Sequence, residues 1–261
     1  MAQIDNRYAQ RGFGARADVA VDEGLRAYML RVYNYMAAGI ALTGLVAYVM
    51  FTYAVTTDPA LAASSGLRLR GMYLTQFGHL IYVSPLKWVI MLAPLGFVFF
   101  LSWRIYKMSV GAAQFAFWVF AAAMGASLSS IFLVYTGQSI TQVFFVTAAS
   151  FGALSLWGYT TKKDLSGWGS FLIMGLFGII IAALVNIFLQ SSALQFAISV
   201  IGVLVFAGLT AYDTQRIKDT YFEIAGDATA TAKAAIMGAL NLYLDFINMF
   251  VMLLQLFGNR D

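Results

Sequence analysis

Apolar residues along this chain come in long charge-free blocks separated by short polar joins. From Val32 to Thr57 no charged residue occurs, a length that crosses a hydrocarbon core of ~30 Å at ~1.5 Å per helical residue. The stretch from Met108 to Thr161 runs 54 residues without a charge. As one helix it would reach about 80 Å, so it must turn back, and Tyr135-Thr136-Gly137-Gln138-Ser139 supplies the turn. Leu165 to Tyr212 repeats the pattern, broken at Gln190-Ser191-Ser192. The blocks predict seven transmembrane helices over about 32–57, 86–103, 111–134, 140–159, 168–189, 194–217 and 234–257. Residues 1–26 read as a loose, cytoplasmic, disordered tail ahead of a transmembrane domain over 27–261, and 58–85 reads as one sizeable external loop, too polar to span.

Composition sharpens this picture. Hydrophobic side chains make up 61% of the 261 residues and charged ones 11%, with a mean hydropathy of +0.77. A single soluble core cannot hide that much apolar surface, so a soluble enzyme, a nucleic-acid partner and a disordered chain are excluded, and the lipid bilayer is the first partner expected. The net charge of +4 carries topological information instead. Twelve of the sixteen Lys and Arg fall on the side of the N-terminus and four on the other. That bias predicts a cytoplasmic N-terminus and an external C-terminus. With no cysteine, neither disulfides nor thiolate metal sites are available. No short apolar stretch with a small-residue cleavage site opens the chain, so no cleaved signal is expected.

Charges inside the bilayer are the informative residues, because an ionised Asp at a helix centre costs roughly 2.5 to 3.5 kcal/mol on insertion scales. Asp245 is the only charge of the seventh helix. Asn241, Asn248, Met252 and Gln255 fall with it within an arc of about 80° at 100° per residue, a polar stripe that should face protein or water. Asp213 ends the apolar part of the sixth helix, within Ala211-Tyr212-Asp213-Thr214-Gln215-Arg216. The depths of the two acids meet only if that helix continues past Tyr212. A plainer reading makes Asp245 a cross-link to Asn and Tyr partners and Asp213 an interface acid paired with Arg216, and the sequence leaves both readings open. His79 lacks any partner at metal-ligand spacing and reads as a surface histidine. The helical glycines, Gly152, Gly158, Gly175, Gly178, Gly202 and Gly208, read as packing positions. Trp88, Trp103, Trp157 and Trp168 read as interfacial anchors. No phosphate loop, HExxH or Ser-His-Asp set occurs, so no catalytic residue is expected and the chain does not read as an enzyme.

At these residues the sequence resembles a known family. Ala211-Tyr212-Asp213-Thr214-Gln215, Leu242-Tyr243-Leu244-Asp245-Phe246-Ile247-Asn248, the join Gly158-Tyr159-Thr160-Thr161-Lys162-Lys163-Asp164-Leu165 and Thr147-Ala148-Ala149-Ser150-Phe151 are similar to elements of the transmembrane Bax inhibitor motif family, bacterial branch, over about Arg26 to Gly258. The resemblance implies an all-α fold with helices 1 to 6 around a central helix 7, in the bacterial inner membrane. It implies that Asp213 and Asp245 form a hydrogen-bonded gate and pH sensor, supported by Asn241, Asn248 and Gln255. The function implied is a pH-sensitive leak of Ca²⁺ or other cations, with Ca²⁺ the permeant ion and no cofactor. Two carboxyls in a dry site cannot both ionise cheaply and titrate as a unit. Deprotonation would then favour opening and expose Asp213 and Asp245 as a transient Ca²⁺ site. Calcium takes six to eight oxygens, so a leak fits better than a tight site. The second helix departs from some family members in carrying Ala93-Pro94 and no acid, while Arg104 resembles a family basic position and is a candidate counter-charge. The alternative function is a non-transporting regulator that binds a membrane AAA protease, with the N-terminal tail as contact. Transport of a small anion is disfavoured, because the buried charges are acidic.

Overall fold

The structure is a computed structural model that describes residues 2–63, 68–69 and 71–259, with side chains described from Asp22 onward except at 68 and 69. Nine helices and three short strands follow in order among the described residues: α1 Ala2–Ala54, β1 Val55–Thr56, β2 Arg68–Leu69, β3 Met72–Leu74, α2 Gln76–Tyr82, α3 Leu86–Arg104, α4 Val110–Leu128, α5 Ile131–Val134, α6 Gly137–Thr160, α7 Ser166–Leu189, α8 Ser192–Ile224 and α9 Ala228–Phe257. Seven segments are long and apolar enough to cross a membrane: Asp22–Ala54, Leu86–Lys107, Val110–Val134, Gly137–Thr160, Ser166–Leu189, Ser192–Ile224 and Ala228–Phe257. The protein is an all-α polytopic membrane protein.

Local chemistry sets the boundaries. Thr136 and Ser191 accept the orphan amides of Ser139 and Leu194, and Gln190 closes α7 in the left-handed conformation at φ 49°. Asp227 accepts from Thr229 and Ala230, so α9 starts at Ala228, six residues before the expected 234. α8 likewise runs to Ile224 and not 217, because nothing in Lys218 to Ile224 breaks a helix. α1 begins at Ala2, through the segment read as a loose tail. It contains no proline or helix-terminating pair. The third span is interrupted at Ser129 and Ser130, between α4 and α5.

The 58–85 loop is more ordered than its polarity suggests. β1, β3 and β2 form an antiparallel sheet in that order, with Val55 opposite Leu74 and Leu69 opposite Met72. Gly71 takes φ +79° at the turn, a conformation that favours glycine. α2 follows, capped by Thr75, and carries half-buried His79.

α9 is the most enclosed span, with 67% of its most apolar stretch buried against 17% to 39% for the others. Its principal neighbours are α1, α4, α6 and α8, while α3 and α7 pack chiefly on α4 and α8. Aromatic side chains seal it. Phe117 and Phe120 meet Tyr243 edge-on, and Phe144 and Phe151 meet Phe246.

Small residues let the backbones approach. A Cβ on Gly158 would strike the Ala211 carbonyl, locking α6 to α8. Gly175 faces Val205, Gly208 faces Leu172 and Gly202 faces Met252. Gly152 and Gly178 face open space, so the packing role expected from spacing fails at those two. Trp88, Trp103, Trp157 and Trp168 are all well exposed near span ends, as interfacial anchors should be.

Candidate functional site

The antiparallel register of α8 and α9 is fixed by two close contacts, Gly238 against Ile217 and Gly202 against Met252. That register puts residue 213 opposite the turn around Asn241 and Leu242, with Asp245 about one helical turn, ~4.5 Å, further along α9. Helical side chains lean toward their own N-terminus. In antiparallel helices the Asp213 and Asp245 side chains therefore lean toward each other. Their carboxyl groups face each other within interaction range, each an electrostatic neighbour of the other. The extension of α8 past Tyr212 makes this contact possible.

Asp245 is only 4% exposed. Its Oδ2 is sealed, and no amide or hydroxyl donor reaches it among the described residues. A hydrogen bond between two carboxyls needs one proton, since two carboxylates are both acceptors. Asp213 is half-buried, with Arg216, one turn on, as its electrostatic neighbour. Arg104 lies exposed at the end of α3.

The rest of the stripe divides. Gln255 Oε1 accepts from Gln195 Nε2 and from Ser199 Oγ, each at 2.8 Å, in a polar cluster at the far end of α8 and α9. Asn186 Nδ2 joins it by donating to Gln195 Oε1 at 3.1 Å. Asn248 Nδ2 donates to the Leu244 carbonyl of its own helix at 2.9 Å. Half-buried Asn241 lies one turn from Asp245 toward the start of α9. The structure thus brings Asp213 and Asp245 together and places Gln255 in a separate network.

Three arrangements around the pair escape sequence reasoning. Thr43 Oγ1 donates to the Ala121 carbonyl at 2.9 Å and bonds Tyr243 Oη at 2.6 Å, so the tyrosine is the donor to Thr43 and α1, α4 and α9 are tied. Thr214 donates to the Thr210 carbonyl at 2.7 Å, leaving Ser155 to donate to Thr214 at 2.9 Å and Tyr33 to donate to Ser155 at 2.6 Å. That chain crosses from α1 through α6 to the residue beside Asp213. Gln215 accepts from Leu165 N at 2.8 Å and donates to the Lys163 carbonyl at 2.9 Å, while Lys218 Nζ donates to the Tyr159 carbonyl at 2.9 Å. The conspicuous α6–α7 join is therefore held by α8. Thr214, Gln215, Tyr243 and the join from Tyr159 to Leu165 carried a prior signal, their place in the motifs, whereas Tyr33, Thr43 and Ser155 carried none. Ser and Thr in apolar helices mostly bond their own preceding turn, which hides the exceptions.

Two carboxylates offer four oxygens, fewer than the six to eight that calcium takes, and no cluster of three or more His, Cys, Asp or Glu occurs among the described residues.

Comparison with known proteins identifies the family. Residues 25–261 match the family described as Inhibitor of apoptosis-promoting Bax1. A protein of Caulobacter vibrioides is 46% identical over 262 residues, covering all of both chains. One of Rickettsia prowazekii is 46% identical over 92% of each chain. The inner membrane protein YbhL of Escherichia coli K12 is 45% identical over 91% of this chain and 93% of its own. Together with seven apolar spans, that likeness supports a multi-pass inner-membrane location. With a family model matched from residue 25 to the last residue and relatives near 45% identity along almost their whole length, the chain belongs to the Bax inhibitor-1 family.

Proposed function

We propose that this protein is a pH-sensitive leak pathway for Ca²⁺ or a similar cation, closed while Asp213 and Asp245 share a proton. The approach of those two carboxyls across α8 and α9, at a sealed oxygen with no donor among the described residues, is the observation that carries the reading. With the proton present, the pair is a hydrogen bond joining two spans and no net charge is buried at Asp245. With it lost, two negative charges face each other where solvent cannot screen them, and their repulsion in low dielectric favours separation. Separated carboxylates attract a divalent cation and hold it too weakly to trap it. Rising pH therefore opens the path and falling pH closes it.

The test is calcium entry into dye-loaded liposomes containing the purified protein. Wild type should admit Ca²⁺ faster as pH rises through the titration of the pair. Asp213→Asn and Asp245→Asn should flatten that dependence, since an amide cannot gain the charge. No flux from folded wild type, or an unaltered pH profile in both variants, would overturn the proposal.

A further inference from the structure

A second feature stands apart from the acidic pair. Where α6 ends and α7 begins, a cavity of about 310 Å³ opens between α6, α7 and α8. Trp157 and Trp168 flank it, Leu172 and Tyr212 line it, and Lys163 and Asp164 lie at its rim. Its depth is known from topology: the join between two spans lies at the membrane surface, and the two tryptophans, 48% and 62% exposed, are side chains typical of that level. The join is also held in shape, because Gln215 grips both the Lys163 carbonyl and the Leu165 amide.

The two rim charges are opposite, adjacent in sequence and available. Lys163 and Asp164 are both exposed. Asp164 Oδ1 accepts from Ser166 N at 2.8 Å, a bond that holds the carboxyl below its ordinary value and keeps it ionised at neutral pH. Its other oxygen is left for an ammonium. A cation and an anion over an apolar cavity at headgroup depth match a ligand with the same layout: a phosphate, an ammonium a few atoms away, and an acyl chain below.

We propose that this cavity binds a zwitterionic phospholipid of the phosphatidylethanolamine type. Lys163 takes the phosphate, Asp164 takes the ammonium, and the upper acyl chain lies along Trp168 and Leu172. Neutral glycolipids lack both charges. Anionic phosphatidylglycerol offers the phosphate but brings no cation to Asp164, whose carboxylate then repels it.

The experiment titrates full-length protein in neutral-detergent micelles with dioleoylphosphatidylethanolamine or dioleoylphosphatidylglycerol, counting bound lipid by native mass spectrometry. Wild type should favour the ethanolamine lipid about fivefold, the worth of one partly exposed ion pair. Asp164→Asn keeps the acceptor for Ser166 N and should abolish the preference. Lys163→Gln should weaken both lipids by a similar factor. Equal binding of the two lipids by wild type, no binding of either, or a preference unchanged in Asp164→Asn would overturn the proposal. These readouts involve no ion flux, so they stand or fall separately from the leak.

Discussion

The Asp213 and Asp245 side chains face each other although the α8–α9 register sets them about one turn apart. Antiparallel helices convert that offset into a contact, because each side chain leans toward its own N-terminus and so toward the other. The same two residues in parallel helices would lean the same way and leave the offset unclosed. The site is a consequence of a tight turn after Ile224, the Asp227 cap and small residues that fix the register.

The Thr43–Tyr243 bond should stabilise the fold measurably. Tyr243 is fully buried, and Tyr243→Phe removes its hydroxyl while leaving Thr43 bonded to Ala121. The expected loss is about 1 kcal/mol. Thr43→Val leaves the buried tyrosine hydroxyl without its acceptor, while the Ala121 carbonyl keeps its helical bond, and should cost more, roughly 1 to 3 kcal/mol. Thermal unfolding in detergent, followed by circular dichroism, checks the order; equal losses would count against the bond direction assigned here.

Gly158 is a point of close approach of α6 to α8, with the Ala211 backbone where a Cβ would stand. Gly158→Ala should destabilise by about 1 to 3 kcal/mol through overpacking. Gly152→Ala, facing open space on the same helix, should be neutral or slightly stabilising. The pair of melting temperatures separates local clash from a general effect of changing glycines in α6.

Gln215 should protect the α6–α7 join. Gln215→Ala removes two hydrogen bonds to it, so trypsin should cut after Lys162 and Lys163 roughly tenfold faster, the effect of about 1.4 kcal/mol on local opening. Gln215→Glu keeps the acceptor for Leu165 N and should fall between. Peptide mapping over time gives both rates.

Much of this was legible in the sequence because charge-free blocks and bilayer thickness leave few alternatives. The seven spans followed from that constraint, as did the burial of Asp245, whose charge stands alone in an apolar helix. Helix ends were harder. The start of α9 depends on Asp227 accepting two amides, and in sequence it looked like one more charge in a polar connector. The hydroxyl chain Tyr33–Ser155–Thr214 joins residues 122 and 59 positions apart, and no local pattern announces such a pairing. Arg216 acts on Asp213 from one helix turn on, a neighbour that helical spacing alone offers. The order in the 58–85 loop was hidden because two- and three-residue strands are too short for alternation to register.

The central claim is that one proton is held between Asp213 and Asp245, and infrared difference spectroscopy of the protonated carboxyl stretch reads that proton directly. Wild type should show a strongly hydrogen-bonded carboxylic acid band that vanishes over the same rise in pH that accelerates Ca²⁺ entry, and the Asp213→Asn/Asp245→Asn double variant should lack it. A wild-type spectrum without that band, or a band that persists in the double variant, would contradict the account.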